Sequence, residues 1–297
     1  MPNWLVTGGS GFLGRALLAR LRGEPVNLVA LGRQPIDGVR SVSADLLDLE
    51  SSRRALFETL PDVVFHLAGR TPPADPEDFD AGNRVATTNL IRSLEAIGRR
   101  VRVVAVGSAA ELGEVPTDDL PVGEEYPCRP VEPYGRSKLA ATEVVLGASP
   151  PVESVVARLF NPIGSGLKAN QALGRFAAIL AEGDGPITMK VGNLGPRRDF
   201  IDVRDVADAL IALATHARPG LYHVGTGRSW SVGEGLETLI RLSGREVTVV
   251  VEPGRPGGVV DSRADIGRIC GETGWSPRID FERSLADLWT EANTGRD

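Results

Sequence analysis

The chain has 297 residues, 42% hydrophobic and 24% charged, a length and balance that allow one large folded core and exclude a disordered chain. A formal net charge of −6 gives no overall attraction to nucleic acid, and no apolar run reaches the length that spans a bilayer. Two cysteines cannot make a disulfide framework, so the expected setting is the reducing cytoplasm, consistent with a start that shows no basic leader.

Taken in chain order, short β-branched runs bounded by Gly, Pro or Asp predict strands at 3–7, 26–31, 63–68, 101–106 and 152–160. Helix-compatible segments fall between them at 12–22, 51–60, 83–98 and 133–147. Continuous apolar strands alternating with helices imply a parallel sheet covered on both faces, and right-handed crossovers make it doubly wound. Beyond residue 160 the pattern loosens into Gly- and Pro-rich stretches such as "GDGPITMKVGNLGPRRD", with helical pieces at 203–214, 231–242 and 281–291. The expected fold is therefore α/β: a Rossmann-like doubly wound parallel sheet with a smaller C-terminal substrate-binding lobe. Residues 1–161 form the dinucleotide-binding domain, 199–215 return to it, and 162–198 with 216–297 form the lobe.

"TGGSGFLG" puts Gly8, Gly11 and Gly14 between the first strand and a helix. Glycines there permit a tight turn and close approach to a pyrophosphate, and the helix N-terminus offers free N–H groups and partial positive charge. The second strand ends in "ALGRQ", with Arg33 where an NAD site usually carries an acid for the ribose hydroxyls. A guanidinium grips a ribose phosphate that a carboxylate repels, so NADPH is the expected cofactor, with NAD as the alternative. His66 and His223 lie at apolar strand ends and His216 in a polar loop. They read as satisfied core or surface residues, and no Cys/His cluster supports a metal.

These motifs, with others that follow in order, resemble the extended short-chain dehydrogenase/reductases, a family acting mainly on nucleotide sugars. The resemblance implies cofactor contacts from Gly8, Ser10, Gly11, Phe12, Leu13 and Gly14. "ADLLD" adds Asp45 and Leu46 at the adenine, and "HLAGR" adds Ala68 and Gly69. "GSAAELG" resembles the catalytic serine segment with Ser108, and "YGRSK" the active-site pair Tyr134 and Lys138. "ARLFNPIGSG" and "RRDFIDVRDV" are similar to segments of reductases of 4-keto-6-deoxy nucleotide sugars. They imply sugar or diphosphate contacts from Asn161, Arg198 and Arg255, with Arg197 able to exchange roles with Arg198. Glu111 touches sugar hydroxyls or caps its loop. The family's habit of pairing through helices matching 83–98 and 133–147 implies a homodimer.

Ketone reduction needs a hydride donor and a proton for the developing alkoxide. Tyr134 can give the proton if neighbouring positive charge lowers its hydroxyl, and Lys138, one helical turn along, can supply that charge. Ser108 can hydrogen-bond the same carbonyl oxygen. Ala109 and Ala110 stand where the family's dehydratases carry an Asp-Glu pair, which excludes water elimination. Leu112, Pro162 and Gly258 also depart from the family's pattern. An epimerase with tightly held NAD, using the same three residues, is the rival reading; a non-catalytic dinucleotide-binding regulator is a third.

Overall fold

The structure, a computed structural model, describes residues 1–252 and 258–294. The first half runs β1 (Asn3–Thr7), α1 (Phe12–Leu21), β2 (Asn27–Gly32), β3 (Arg40–Ser43), α2 (Leu49–Thr59) and β4 (Val63–His66). It continues through α3 (Pro76–Phe79), a π-helical turn (Asp80–Val85), α4 (Ala86–Ile97), β5 (Val101–Ser108), α5 (Pro133–Leu146) and β6 (Val152–Leu159). Then come β7 (Asn161–Ile163), α6 (Ala172–Leu180), β8 (Ile187–Val191), β9 (Arg197–Arg198), β10 (Phe200–Asp202) and α7 (Val203–His216). The last elements are β11 (Gly220–Val224), β12 (Trp230–Ser231), α8 (Val232–Ser243), β13 (Val247–Val251), α9 (Gly267–Thr273) and α10 (Phe281–Thr294).

Seven parallel strands form one sheet in the order β11-β6-β5-β4-β1-β2-β3. β1 pairs with both β2 and β4, so the winding direction reverses there, and the crevice at the carboxyl ends of these strands is where doubly wound sheets hold ligands. On one face Leu17, Leu18 and Leu21 of α1 and Val206, Leu210 and Leu213 of α7 pack against Val6, Phe65 and Val104. On the other, Leu56 of α2 and Leu90, Ile91 and Leu94 of α4 cover Leu5, Val64 and Val103. A separate core under the second lobe joins α6, α8 and α10 through Phe176, Leu180, Leu236, Leu239, Phe281 and Leu285.

Several expectations need correction. Gly220–Val224 is not part of the second lobe but the seventh strand of the large sheet, pairing with β6 from Val155 to Leu159. Without it, the fully buried β6 would leave its ladder groups unpaired against apolar surroundings. α9 also sits on this body, burying Ile269 in the same core as α7. β3 and α6 lie outside the expected strands and helices. β3 is a polar edge strand that buries only Val42. α6 is interrupted by Gly174, whose missing Cβ would stand 2.3 Å from the Lys168 carbonyl. His216 is the last residue of α7 rather than a loop residue.

The acidic residues of "RDFIDVRD" prove to be backbone caps. Asp199 is buried and accepts from the amides of Thr226, Gly227 and Ala264 and the Thr226 hydroxyl. Asp202 caps α7 through the Arg204 amide and reaches Ser284 of α10 at 2.7 Å. Asp205 accepts from the amides of Arg278 and Ile279. Each ties the later segments to the sheet by satisfying groups that would otherwise be orphaned.

Candidate active site

The carboxyl edge of the sheet opens into a cavity of about 690 Å³ between the two lobes, within the range of about 300–1,000 Å³ of small-molecule sites. One wall is the glycine loop. Gly8 has φ +71°, and a Cβ on Gly14 would lie 2.2 Å from the Gly8 carbonyl, so only glycine lets the turn fold this tightly before α1. Gly11 caps α1 without a side-chain hydrogen bond, and no acid occupies the first turn. The free N–H groups of that turn therefore face the cavity, a donor set that fits the pyrophosphate of a dinucleotide. Gly11, Phe12, Leu13 and Gly69 line the same wall.

Beneath the loop, Ala68 N–H donates to Thr7 Oγ1 (3.1 Å), which lies 2.8 Å from His66 Nδ1. On the other side, Nε2 of His66 meets Thr87 Oγ1 at 2.9 Å, and Thr87 donates to the Asn83 carbonyl at 2.6 Å. One neutral tautomer satisfies every group: Thr7 donates to Nδ1, and Nε2–H donates to Thr87. Burial, reinforced by the Lys138 ammonium, holds the His66 imidazole down at about 3. Burial and the Arg158 guanidinium hold His223 at about 4. An unfolded histidine titrates near about 6.5, so below that pH the unfolded chain binds protons that the folded chain refuses. Stability should thus be complete above about pH 6.5 and fall with pH towards the folded values. Urea-unfolding midpoints from pH 7.5 to 4.5 test this: a His66→Gln variant should show a shallower loss than the parent, and parallel curves would refute it.

The opposite wall carries the reactive groups. β5 ends at Ser108, which N-caps the short turn Ala109–Glu111. Pro133 at the first position of α5 fixes the helix start, which sets Tyr134 and Lys138 one turn apart. A Cβ on Gly135 would meet the Ala110 carbonyl at 2.3 Å, so this glycine lets α5 seat on the serine turn. Ser108, Tyr134 and Lys138 all line the cavity, and the Phe79 ring braces Tyr134 at 5.5 Å. Burial raises the Tyr134 hydroxyl above the ordinary phenol range, the Ser108 hydroxyl beside it pulls the other way, and the Glu111 carboxylate adds to the rise. The expected lowering by Lys138 is absent here. Its ammonium donates to the Val106 carbonyl at 2.5 Å, and burial pulls Lys138 itself down while Glu111 raises it.

Of the two roles expected for Glu111, the structure shows the loop cap and corrects the sugar contact. The residue is fully buried, does not line the cavity, and completes the cap of the serine turn. Its Oε1 accepts from the Ser108 amide (2.7 Å) and Thr142 Oγ1 (3.1 Å), and its Oε2 pairs with Arg158 Nε at 2.9 Å. Its full burial away from the cavity lining, not a lack of lone pairs, keeps the carboxylate from a sugar hydroxyl.

Asn161 and Arg198 also line the cavity. Arg197 does not: it turns away to the Ser229 carbonyl and to Glu234. Arg33 and Asp45 lie exposed at the carboxyl ends of β2 and β3, outside the main cavity. Ser10 is exposed beside the glycine loop, and Leu46 is buried in the core with its carbonyl taken by Asn89. Arg255 falls outside the described residues. The sequence reading missed Asn83, which the π-helical turn aims at the Arg70 backbone and, at 2.9 Å, Ser137 of α5; such turns recur at functional sites. It also missed Lys168, Gln171 and Asp261 in the cavity lining, in stretches without periodicity. Among the described residues no group of His, Cys, Asp and Glu is placed to hold a metal ion, and no helix is long and apolar enough to cross a membrane.

Comparison with known proteins agrees with this geometry. A dTDP-6-deoxy-L-talose 4-dehydrogenase (NAD(P)(+)) of Kitasatospora kifunensis is 33% identical over 97% of this chain and 95% of its own. A GDP-6-deoxy-D-mannose reductase of Pseudomonas aeruginosa is 34% identical over 96% and 95%. The structure of RMD from Pseudomonas aeruginosa, solved with NADPH, matches with a TM-score of 0.89 and 30% identity over 99% of this chain and 100% of that one. Residues 4–225 match the NAD dependent epimerase/dehydratase family, and the chain belongs to that family.

Proposed function

We propose that the protein uses NADPH to reduce the 4-keto group of a nucleotide-linked 4-keto-6-deoxy sugar. The observation that carries this reading is the convergence of the glycine loop, Ser108, Tyr134, Lys138 and Arg198 on one cavity. Two relatives named for a 6-deoxy sugar 4-dehydrogenase and a 6-deoxy sugar reductase support it. The cofactor, when bound, supplies the hydride. The chain's own part is to hold the ketone oxygen between the Ser108 and Tyr134 hydroxyls, to pass the Tyr134 proton to that oxygen, and to grip the diphosphate with Arg198. Arg255 is proposed as a second diphosphate contact. Ala109 and Ala110 offer no group for water elimination, which supports net reduction. The two free cysteines support a cytoplasmic setting, and the resemblance supports a homodimer through α4 and α5.

The test offers NADPH with a panel of nucleotide-linked 4-keto-6-deoxy sugars and follows cofactor oxidation and product configuration. No oxidation with any of them would remove the reading. NAD that stays with the purified protein through dialysis would favour the epimerase.

Arg33, exposed just past β2, supports NADPH over NADH. Losing a charged hydrogen bond to the ribose phosphate costs about 1.5–3 kcal/mol. Arg33→Glu is therefore expected to lower the NADPH/NADH ratio of kcat/KM by about 10- to 100-fold. An unchanged ratio would return Arg33 to the solvent.

A further inference from the structure

Asp261 has no part in the assignments above, yet it lines the cavity beside Arg198. Residues 260–262 run along 197–199: the Arg197 amide donates to the Val260 carbonyl and the Asp199 amide to the Ser262 carbonyl, both at 2.8 Å. Arg198 Nη1 donates to the Val259 carbonyl at 2.9 Å. Arg198 and Asp261, the middle residues of these tied segments, thus share one stretch of wall.

Asp261 is only 7% exposed. Its Oδ2 lies 3.2 Å from Arg263 Nε, while its Oδ1 is buried and has no hydrogen-bond partner among the described residues. Most buried polar atoms are satisfied, and an orphaned acceptor is destabilising, more so when charged. An orphan on a cavity wall is satisfied by what enters the cavity. A carboxylate only accepts, so its partner is an O–H or N–H group. It also repels phosphate, so it meets an uncharged part of a ligand whose anionic part lies on the neighbouring guanidinium.

We infer that Asp261 recognises the nucleoside of the substrate, accepting a hydrogen bond from a ribose hydroxyl or a base N–H while the adjoining diphosphate lies on Arg198. The inference rests on the nucleotide-sugar reading above and adds the residue that reads the nucleoside.

The test is titration calorimetry of UDP, 2′-deoxy-UDP, GDP and 2′-deoxy-GDP against the parent protein, Asp261→Ala and Asp261→Asn. Asp261→Ala should weaken the best-bound nucleotide by 10-fold or more, leaving NADPH affinity unchanged and the thermal midpoint no lower than the parent's. The isosteric Asp261→Asn should lose less, since its carboxamide oxygen still accepts. A loss confined to the ribonucleotides identifies the 2′-hydroxyl. A loss shared by ribo and deoxy forms of one base identifies the base N–H. If the parent binds a nucleotide and both variants bind it within 2-fold, the inference is overturned while the nucleotide-sugar reading stands. If the parent binds none of the four, both fall.

Discussion

Tyr134→Phe is expected to lower kcat for ketone reduction by about 10²- to 10⁴-fold, the usual contribution of a positioned general acid, with little change in NADPH affinity. The substitution keeps the ring and its contact with Phe79, so α5 and the cavity wall persist and the loss reports on the hydroxyl alone. The pH profile sharpens the test. Burial, outweighing the Ser108 hydroxyl, holds the phenol above its ordinary range, so the proton-donating form persists through neutral pH. Reduction should then stay level until strongly alkaline pH, and alcohol oxidation, which needs the phenolate, should climb with pH. A kcat within about 3-fold of the parent, far short of the acid's usual worth, would assign the proton to another group. A reduction profile that already falls near neutrality would show that ligand binding, through Lys138, draws the phenol down.

What the sequence made legible follows a physical division. Gly8, Gly14, Tyr134 and Lys138 were readable because local backbone demands, a turn that excludes a Cβ and one helical turn of spacing, are written in consecutive residues. The parallel sheet was readable for a similar reason, since β1, β4, β5 and β6 are continuous apolar runs. Side-chain direction was not. Glu111 stands three residues past Ser108, and spacing alone allows it to face a sugar or the core. Ser108-x-x-Glu111 does match a capping box, which was the available sign that it turns inward. Arg158 is one of two charges in β6, and nothing in the strand points to its partner, which lies 47 residues away. Asp261 is harder still, because its position depends on how a Gly- and Pro-rich segment lies against Arg198. The strand at His223 was placed in the second lobe because the strand it pairs with, β6, ends some 60 residues earlier, at Leu159.

Arg158→Met is expected to destabilise the fold by about 3–5 kcal/mol, because it leaves the buried Glu111 carboxylate without its charge partner. The two side chains are 2% and 0% exposed, so water cannot replace what is lost. The guanidinium satisfies three groups at once: Glu111, Nε2 of His223 at 3.2 Å and the Cys128 sulfur at 3.2 Å. His223 in turn donates from Nδ1 to the Val122 carbonyl at 3.0 Å. Glu111→Gln should cost less, since a carboxamide still accepts from the Ser108 amide, yet it leaves the Arg158 charge buried. The double variant should recover part of the loss, because an apolar or neutral replacement of a whole buried pair is often tolerated better than half of one. Thermal midpoints of the four proteins measure the coupling, and strictly additive losses would rule out the pair. The consequences reach the chemistry through Ser108, whose amide is fixed by Glu111 at 2.7 Å. In the folded fraction Arg158→Met should lower kcat more than it alters NADPH affinity, since the glycine loop lies on the other wall. It should also relieve His223 of a neighbouring positive charge, raising that imidazole from about 4 and narrowing the pH window over which the folded protein refuses protons. A nuclear magnetic resonance titration of His223 that matched the parent would show that Arg158 does not act on it.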